Sequence, residues 1–399
     1  MLQRAIYGAI FFDDVNNPKA GWASVRGQAA FRITSPGTLD SSIFWWSNLD
    51  FRGLAQNNAN PKIKKINYLA PNMDQLIGEL GLGRGRTSVS STVQIISEIF
   101  DRVMRLAHQQ YGLQYPIAAD LAEDLFDHIV SKDKPITPEI DEALKQSYQT
   151  WSDTADRKNK AGDKWITFRR PRMRHARDIL ATPIPGDEWE FISESRLPAE
   201  KKRVDWLLAQ PQPALVQVSV SNIQFEVSRV LSFGGGYREG GYRGWMSHPE
   251  LLMFSKFSKV KVENAFLASD YAPQLVYRQM NDGGTLGLLS ISNGILAENY
   301  WLALATARTF KKFIPNQDND KIYSPRSVWL SASDRFYSLL PALMMDGSGF
   351  NVRGYGRGKV VIAIDPGAIK EARDCASSAG LNCPLNVQES ISIQSHLSS

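Results

Sequence analysis

The stretch "PALVQVSVSNIQFEVSRVL", residues 213–231, carries the clearest fold signal in the chain. Alternate positions in its first half carry valines, namely Val216, Val218 and Val220. A two-residue period is typical of a strand with one buried face. The same period resumes after Asn222, at Ile223, Phe225 and Val227. We therefore expect a strand, a turn or bulge near Asn222, and a second run of strand.

The sequence on either side of this stretch changes character three times. Residues 1–70 contain short aromatic and β-branched runs separated by turn residues, which predicts strands. Residues 73–150 have helical periodicity, and residues 151–212 are basic and Pro-rich. Predicted helices and strands then mix as far as residue 380, which indicates an α+β fold with an antiparallel or mixed β core and a helix-rich C-terminal half.

This pattern predicts three segments. Residues 1–72 and 213–399 form an α+β core, because 213–231 reads as the return of the first sheet. Residues 73–150 form an inserted helical subdomain. Residues 151–212 connect the insertion to the second part of the core.

The composition bounds the class of protein. The chain has 399 residues, of which 43% are hydrophobic, enough for a substantial core. Two cysteines and five scattered histidines argue against a disulfide-built fold and a zinc site. No apolar run reaches the roughly 18 residues of a membrane span. We expect a cytoplasmic protein without a membrane segment and without a cofactor.

Positive charge is concentrated in residues 157–177, which we call the basic segment. It contains nine bases and one acid, a net charge of +8, whereas the whole chain carries +5. The bases are Arg157, Lys158, Lys160, Lys164, Arg169, Arg170, Arg172, Arg174 and Arg177, and Trp165 and His175 lie among them. Arginine binds phosphate through two donors and aromatic faces stack on bases, so this mixture favours contact with nucleic acid. The alternative is pairing with residues 120–142, which hold eight acids and two lysines.

Glycine and arginine alternate in three loops: "GLGRGR" (81–86), "GGGYREGGYRGW" (234–245) and "GSGFNVRGYGRGK" (347–359). Glycine lets main-chain N–H groups approach a phosphate, and arginine and tyrosine supply charge and stacking surface. The predicted contacts are Arg84, Arg86, Tyr237, Arg238, Tyr242, Arg243, Arg353, Tyr355, Arg357 and Lys359. The alternative is a set of flexible surface hairpins.

Familiar nucleotide-binding motifs do not match. No GxxxxGK[ST] string occurs, and "GGGYREGG" does not fit GxGxxG followed by a helix. The predicted helix at residues 117–131 carries four acids, which argues against a major-groove recognition helix.

Two family resemblances supply alternatives. "VVIAIDPG" (360–367) resembles the first strand of RuvC-type nucleases, which implies that Asp365 binds magnesium. Asp187 and Glu190 offer a second candidate metal site. Glycine-rich loops on an α+β core with a helical insertion resemble the RNA-binding backbone subunits of CRISPR effector complexes, which implies an RNA-guided assembly.

The preferred hypothesis is a non-catalytic protein that binds RNA or single-stranded DNA as a subunit of a larger nucleoprotein assembly, with other protein subunits as partners. The alternatives are the CRISPR-type subunit, a metal-dependent nuclease, and a virion or other structural assembly protein. All of the predicted contacts are expected to line one groove.

Overall fold

The computed structural model describes residues 6–49, 62–65, 77, 82, 88–114, 117, 121, 125, 136–154, 162–171, 174, 175, 178, 182–186, 188–231, 241–272, 291–299 and 324–382. The strands in these residues are β1 Ile6–Phe12, β2 Gly21–Val25, β3 Phe31–Ile33, β4 Ile43–Ser47, β5 Ile63–Lys65, β6 Ser152–Asp153, β7 Lys164–Arg169, β8 Ile184–Pro185, β9 Trp189–Ile192, β10 Ala214–Ser221, β11 Tyr242–Ser247, β12 Lys259–Ala268, β13 Tyr271–Ala272, β14 Asn351–Gly356 and β15 Lys359–Ile364. The helices are α1 Val89–Tyr111, α2 Pro138–Ser147, α3 Arg203–Leu208, α4 His248–Ser255, α5 (291–299), α6 Pro325–Gly347 and α7 Ile369–Ser378. The predicted α+β class is confirmed.

Backbone contacts divide the chain into two compact units. Residues 1–132 and 275–303 form the N-terminal unit, and residues 133–274 and 304–399 form the C-terminal unit. This division differs from the expected core, insertion and connecting segment. No helix in the described residues is long and apolar enough to cross a membrane.

The N-terminal unit is built on a five-stranded sheet in the order β3-β2-β1-β4-β5. β1 runs antiparallel to β2 and parallel to β4, so the sheet is mixed. Helix α1 packs on β1 and β2, where Phe100 lies 5.1 Å from the ring of Tyr7 and 5.2 Å from that of Trp46. Ser88 caps the start of α1 and Gly112 ends it in the left-handed conformation. Helix α1 therefore covers one face of this sheet.

The C-terminal unit contains two four-stranded antiparallel sheets. The β10 sheet has the order β11-β10-β12-β9, and the hairpin sheet has the order β6-β14-β15-β7. In the described part of the chain β7 is the last strand of the hairpin sheet, and a single bridge joins Arg169 to Asn382. β8 and β13 form a separate two-stranded ladder.

One hydrophobic core joins the inner faces of these two sheets to α4, α6 and α7. From the β10 sheet it takes the predicted alternating valines, Val216, Val218 and Val220. From the hairpin sheet it takes Ile166, Phe168, Val360, Ile362 and Ile364. The side chains at the intervening positions lie on the opposite face of each sheet, which we call its outer face.

Two expectations about residues 213–231 are wrong. β10 pairs with β11 and β12 and not with any strand of the first sheet, so this stretch is not its return. The strand also ends at Ser221, because Asn222 adopts a left-handed φ of 51°. Residues 225–230 form turns, and Phe225 is 87% exposed. The strand irregularity lies earlier, between Gln217 and Val218.

Candidate nucleic-acid interface

The outer side of the hairpin sheet brings two distant cationic segments together. β7 comes from the basic segment and pairs antiparallel with β15, which follows the third glycine–arginine loop. Because Ile166 and Phe168 enter the core, Trp165, Thr167 and Arg169 point outward. The register places Arg169 directly opposite Lys359. We call the outward residues Trp165, Thr167, Arg169, Arg353, Lys359 and the turn residue Arg357 the hairpin face.

A β-bulge sets the direction of two predicted contacts. Val352 pairs with Ile362 and Gly354 pairs with Val361, so Arg353 is an extra residue in β14. The guanidinium carbon of Arg353 lies 5.3 Å from the ring centroid of Trp165, a cation–π contact between strands. Bulges re-aim side chains in this way.

The same bulge overturns the prediction for Tyr355. The extra residue reverses the alternation, so Tyr355 turns inward and is fully buried in the core. Its ring is not available to a base. The glycine–aromatic motif contains no signal for this reversal, because the bulge depends on the pairing with β15.

The tip of the β14–β15 hairpin is a two-residue turn of Arg357 and Gly358, between the paired residues Gly356 and Lys359. Both turn residues have positive φ, 52° and 65°, as a type I′ turn requires. Such turns prefer Asn-Gly, and a side chain in this conformation costs about 1 kcal/mol or more. Arg357 is exposed, and its Nη2 donates to Thr150 Oγ1 at 3.1 Å.

A buried carboxylate anchors this turn. Asp334 of α6 accepts the Gly358 N–H at 3.0 Å, and it hydrogen-bonds His175 Nε2 at 2.7 Å. The carbonyl of Gly358 accepts the Arg170 N–H at 2.8 Å. His175 is thus buried in a structural network and does not face solvent, as contact with a phosphate would require. Sequence reasoning missed Asp334, although an acid inside the apolar run "VWLSASDRF" was an available signal.

Arg170 also departs from the prediction. Its side chain is 5% exposed, forms an ion pair with Asp178, and lies 5.2 Å from the ring centroid of Tyr337. Burial lowers the pKa of Arg170, and the charge of Asp334 opposes that shift. Arg170 is thus held by the fold and is not on the surface. Arg174 and Lys164 are exposed.

The described residues of the second loop lie elsewhere. Tyr242 and Arg243 belong to β11 in the β10 sheet. The half-buried ring of Tyr242 packs against the core, and its hydroxyl donates to the Trp245 carbonyl at 2.8 Å. Burial first, and then the charge of Glu250, raise the pKa of Tyr242. The side chain of Arg243 is 73% exposed and lies 3.1 Å from Glu263. Tyr242 and Arg243 thus belong to a different sheet from the hairpin face, and the single groove stays a prediction.

Other predicted contacts lie outside the described residues. They are Arg84, Arg86, Arg157, Lys158, Lys160, Arg172, Arg177, Tyr237 and Arg238. Asp187, one of the candidate metal ligands, also lies outside them.

The candidate catalytic carboxylates have structural partners. Asp365 accepts the Gly367 N–H at 2.7 Å and caps a short 3-10 turn, and β15 before it has only antiparallel neighbours in the described sheet. Glu190 lies 2.6 Å from Arg196. The described residues contain no group of three His, Cys, Asp or Glu side chains placed to hold a metal ion.

No protein-family model and no curated protein matches the sequence. Among solved structures, Phi29 DNA polymerase with primer-template DNA in a post-translocation binary complex is similar in backbone, with 11% identity and a TM-score of 0.49. That comparison covers 92% of this chain and 82% of the polymerase chain. Phi29 DNA polymerase complexed with single-stranded DNA gives 10% identity and a TM-score of 0.47, over 90% of this chain and 80% of that chain. This is a distant likeness of backbone, from which no activity or site residue is transferred.

Proposed function

We propose that this protein binds nucleic acid, and that the hairpin face contacts the sugar–phosphate backbone. The observation that carries the proposal is the pairing of β7 with β15. It brings cations from two segments nearly 200 residues apart to one surface. These segments are the basic segment and the third glycine–arginine loop, and each was predicted from its own composition to contact nucleic acid.

The placement of the charges favours a polyanion. Arg169 and Lys359 are cross-strand neighbours, so two cationic side chains project side by side from the hairpin face. Arg357 extends the same surface at the tip of the hairpin, in a backbone conformation that arginine seldom adopts. Strain of this kind is consistent with selection for function at that position.

The aromatic component favours unpaired nucleic acid. Trp165 is half-buried, and the Arg353 guanidinium carbon lies 5.3 Å from its ring centroid, so an aromatic ring and a cation lie together on the hairpin face. Bases of a single strand stack on aromatic and guanidinium planes, whereas bases in a duplex are already stacked. We therefore propose single-stranded RNA or DNA as the ligand, and a non-catalytic role within a nucleoprotein assembly.

The salt dependence of affinity tests the proposal. Replacing Arg169, Arg357 and Lys359 by glutamine should lower the slope of log affinity against log salt by roughly 0.7 for each lost phosphate contact, about 2 in total. The matched control carries glutamine at Lys201, Lys202 and Lys370, three exposed lysines that lie outside the strands and turn of the hairpin face. Fluorescence anisotropy with a labelled oligonucleotide gives both slopes. An unchanged slope, or an equal fall in the control, would exclude the hairpin face.

The nuclease alternative is tested on the same samples. Incubation with Mg²⁺ or Mn²⁺ and a labelled strand, in wild type and in Asp365→Ala and Glu190→Ala variants, detects cleavage that depends on these carboxylates. Copurification from native cells, with sequencing of bound nucleic acid and identification of bound proteins, separates a CRISPR-type subunit from a virion protein.

A further inference from the structure

The outer face of the β10 sheet is a second surface, and its side chains change from apolar to polar to charged along the strands. Strand alternation sends Val216, Val218 and Val220 into the core, so Leu215, Gln217 and Ser219 point to the other side. Pairing with β11, β12 and β9 arranges the outward residues in three rows across the sheet.

The first row is apolar and includes the two phenylalanines of β9 and β12. Leu215 pairs with Phe266, which pairs with Phe191. The rings of Phe191 and Phe266 are 5.1 Å apart, and Trp245 stacks on Phe266 at 5.1 Å. Helices α2 and α6 cover Leu215 and Phe266, whereas Phe191 is 47% exposed. The aromatic cluster is thus covered on one side and open at Phe191.

The second row ends in amides. Trp245 pairs with Gln217, and Gln217 pairs with Asn264. Asn264 Nδ2 donates to Gln217 Oε1 at 2.7 Å, and Asn264 Oδ1 accepts the Glu194 N–H at 3.0 Å. These bonds fix the orientation of both amides and do not use the NH₂ group of Gln217, which is half-exposed.

The third row is cationic. Arg243 pairs with Ser219, which pairs with Lys261, and both cations are exposed. Carboxylates lie close to both cations, with Glu194 near Lys261. Glu263, at the bulge in β12, accepts from Ser219 Oγ at 3.1 Å and from Arg243 at 3.1 Å. The row is therefore only weakly basic, and it does not by itself make a strong phosphate site.

This order of rings, fixed amides and cations matches the parts of a nucleotide. Open faces of four-stranded antiparallel sheets bind single strands by stacking bases on aromatic side chains and reading base edges with polar ones. A ring stacks on the flat face of a base, an amide hydrogen-bonds its edge, and a cation meets the phosphate.

We propose that the outer face of the β10 sheet binds unpaired bases of single-stranded RNA or DNA, with Phe191 as the stacking surface and Gln217 at the base edge. This inference rests on the proposed function. It differs in chemistry, because the hairpin face contacts the backbone and this face contacts bases.

The test compares strands with and without bases. Anisotropy with the full chain measures affinity for labelled dT₁₂, rU₁₂ and an abasic 12-mer with the same number of phosphates. Phe191→Ala should weaken binding to dT₁₂ and rU₁₂ by at least about fivefold, the effect of losing one stacked base. Binding of the abasic strand should be unchanged. Phe191→Tyr keeps a ring and should bind both base-containing strands as wild type does.

Phe225→Ala is the matched control, because Phe225 is 87% exposed in the same unit and lies in the turns after β10, outside the strands of this sheet. It should bind all three strands as wild type does.

Equal affinity of Phe191→Ala and wild type for dT₁₂ and rU₁₂ would overturn the proposed base site. The proposed function would not fall with it, because the salt dependence of the hairpin-face variants tests that proposal separately. An equal loss on the abasic strand would also overturn it. If wild type binds no strand, the proposed function fails as well. Tighter binding of rU₁₂ than of dT₁₂ would identify RNA as the ligand, and equal affinity would show that the site accepts both RNA and single-stranded DNA.

Discussion

Replacing Gly358 by alanine tests whether the hairpin turn is held as tightly as its contacts indicate. Gly358 has a φ of 65°, and a Cβ atom there would lie 2.7 Å from Cε1 of the His175 imidazole. That ring cannot easily withdraw, because it is buried and bonded to Asp334. The substitution therefore meets two penalties, one in the backbone and one in packing.

The two penalties have separate magnitudes. A left-handed conformation costs an alanine about 1–2 kcal/mol. Forcing an extra carbon into a packed site costs about 1–3 kcal/mol more. We expect Gly358→Ala to lower the free energy of unfolding by about 2–5 kcal/mol. Urea denaturation followed by tryptophan fluorescence measures the change from the midpoint and slope.

Gly349 supplies the matched control in the same unit. Its φ is 90°, and no atom lies within 4 Å of the position of an added Cβ, so Gly349→Ala meets only the backbone cost of about 1–2 kcal/mol. Gly358→Ala should also weaken nucleic-acid binding, because a displaced turn moves Arg357. Equal destabilisation in the two variants would refute the claim that the His175–Asp334 pair clamps the turn.

Three further predictions concern single side chains. Arg335→Met should lower the free energy of unfolding by about 3–5 kcal/mol, because it leaves the fully buried carboxylate of Glu250 without its cation. In a double-mutant cycle, adding Glu250→Gln should recover part of this loss, and strictly additive losses would contradict the pairing. Burial lowers the pKa of His248 below its ordinary value of 6.5. As the pH drops from about 6.5, the unfolded chain therefore binds a proton before the folded chain does, and the free energy of unfolding should fall. His248→Gln should flatten that part of the curve of stability against pH, and an identical curve would contradict the assignment. Arg357→Asn should raise the free energy of unfolding by about 1 kcal/mol, because asparagine suits this turn, and it should lower the slope of log affinity against log salt by about 0.7. A lower free energy of unfolding would show that the hydrogen bond to Thr150 outweighs the backbone strain.

Local periodicity and capping identified many of the elements correctly. The alternation at Val216–Val220 predicted β10, and the helical periodicity of residues 73–150 predicted α1 and α2. α2 begins at Pro138, and proline is favoured at the first helical position because its missing N–H is not needed there. These signals are local, because they reflect how neighbouring side chains share one face.

Pairing between distant segments was not predictable in the same way. β7 contains a two-residue period at Ile166 and Phe168, but its charges led to its interpretation as part of a connecting segment. Its register with β15, which places Arg169 opposite Lys359, depends on tertiary packing. The inward direction of Tyr355 depends on a bulge, and the loss of Arg170 from the surface depends on Asp178. The composition of a loop therefore does not predict the accessibility of each of its residues.

The position of β7 has a practical consequence for work with this protein. In the described sheet β7 has a neighbour on one side only, apart from the bridge at Arg169, and open strand edges recruit strands from other molecules. Charged side chains on such a strand discourage aggregation. We therefore expect that neutralising both Lys164 and Arg169 promotes self-association of the protein through β7. Monodispersity, measured by light scattering, must be established before any such variant is used in a titration.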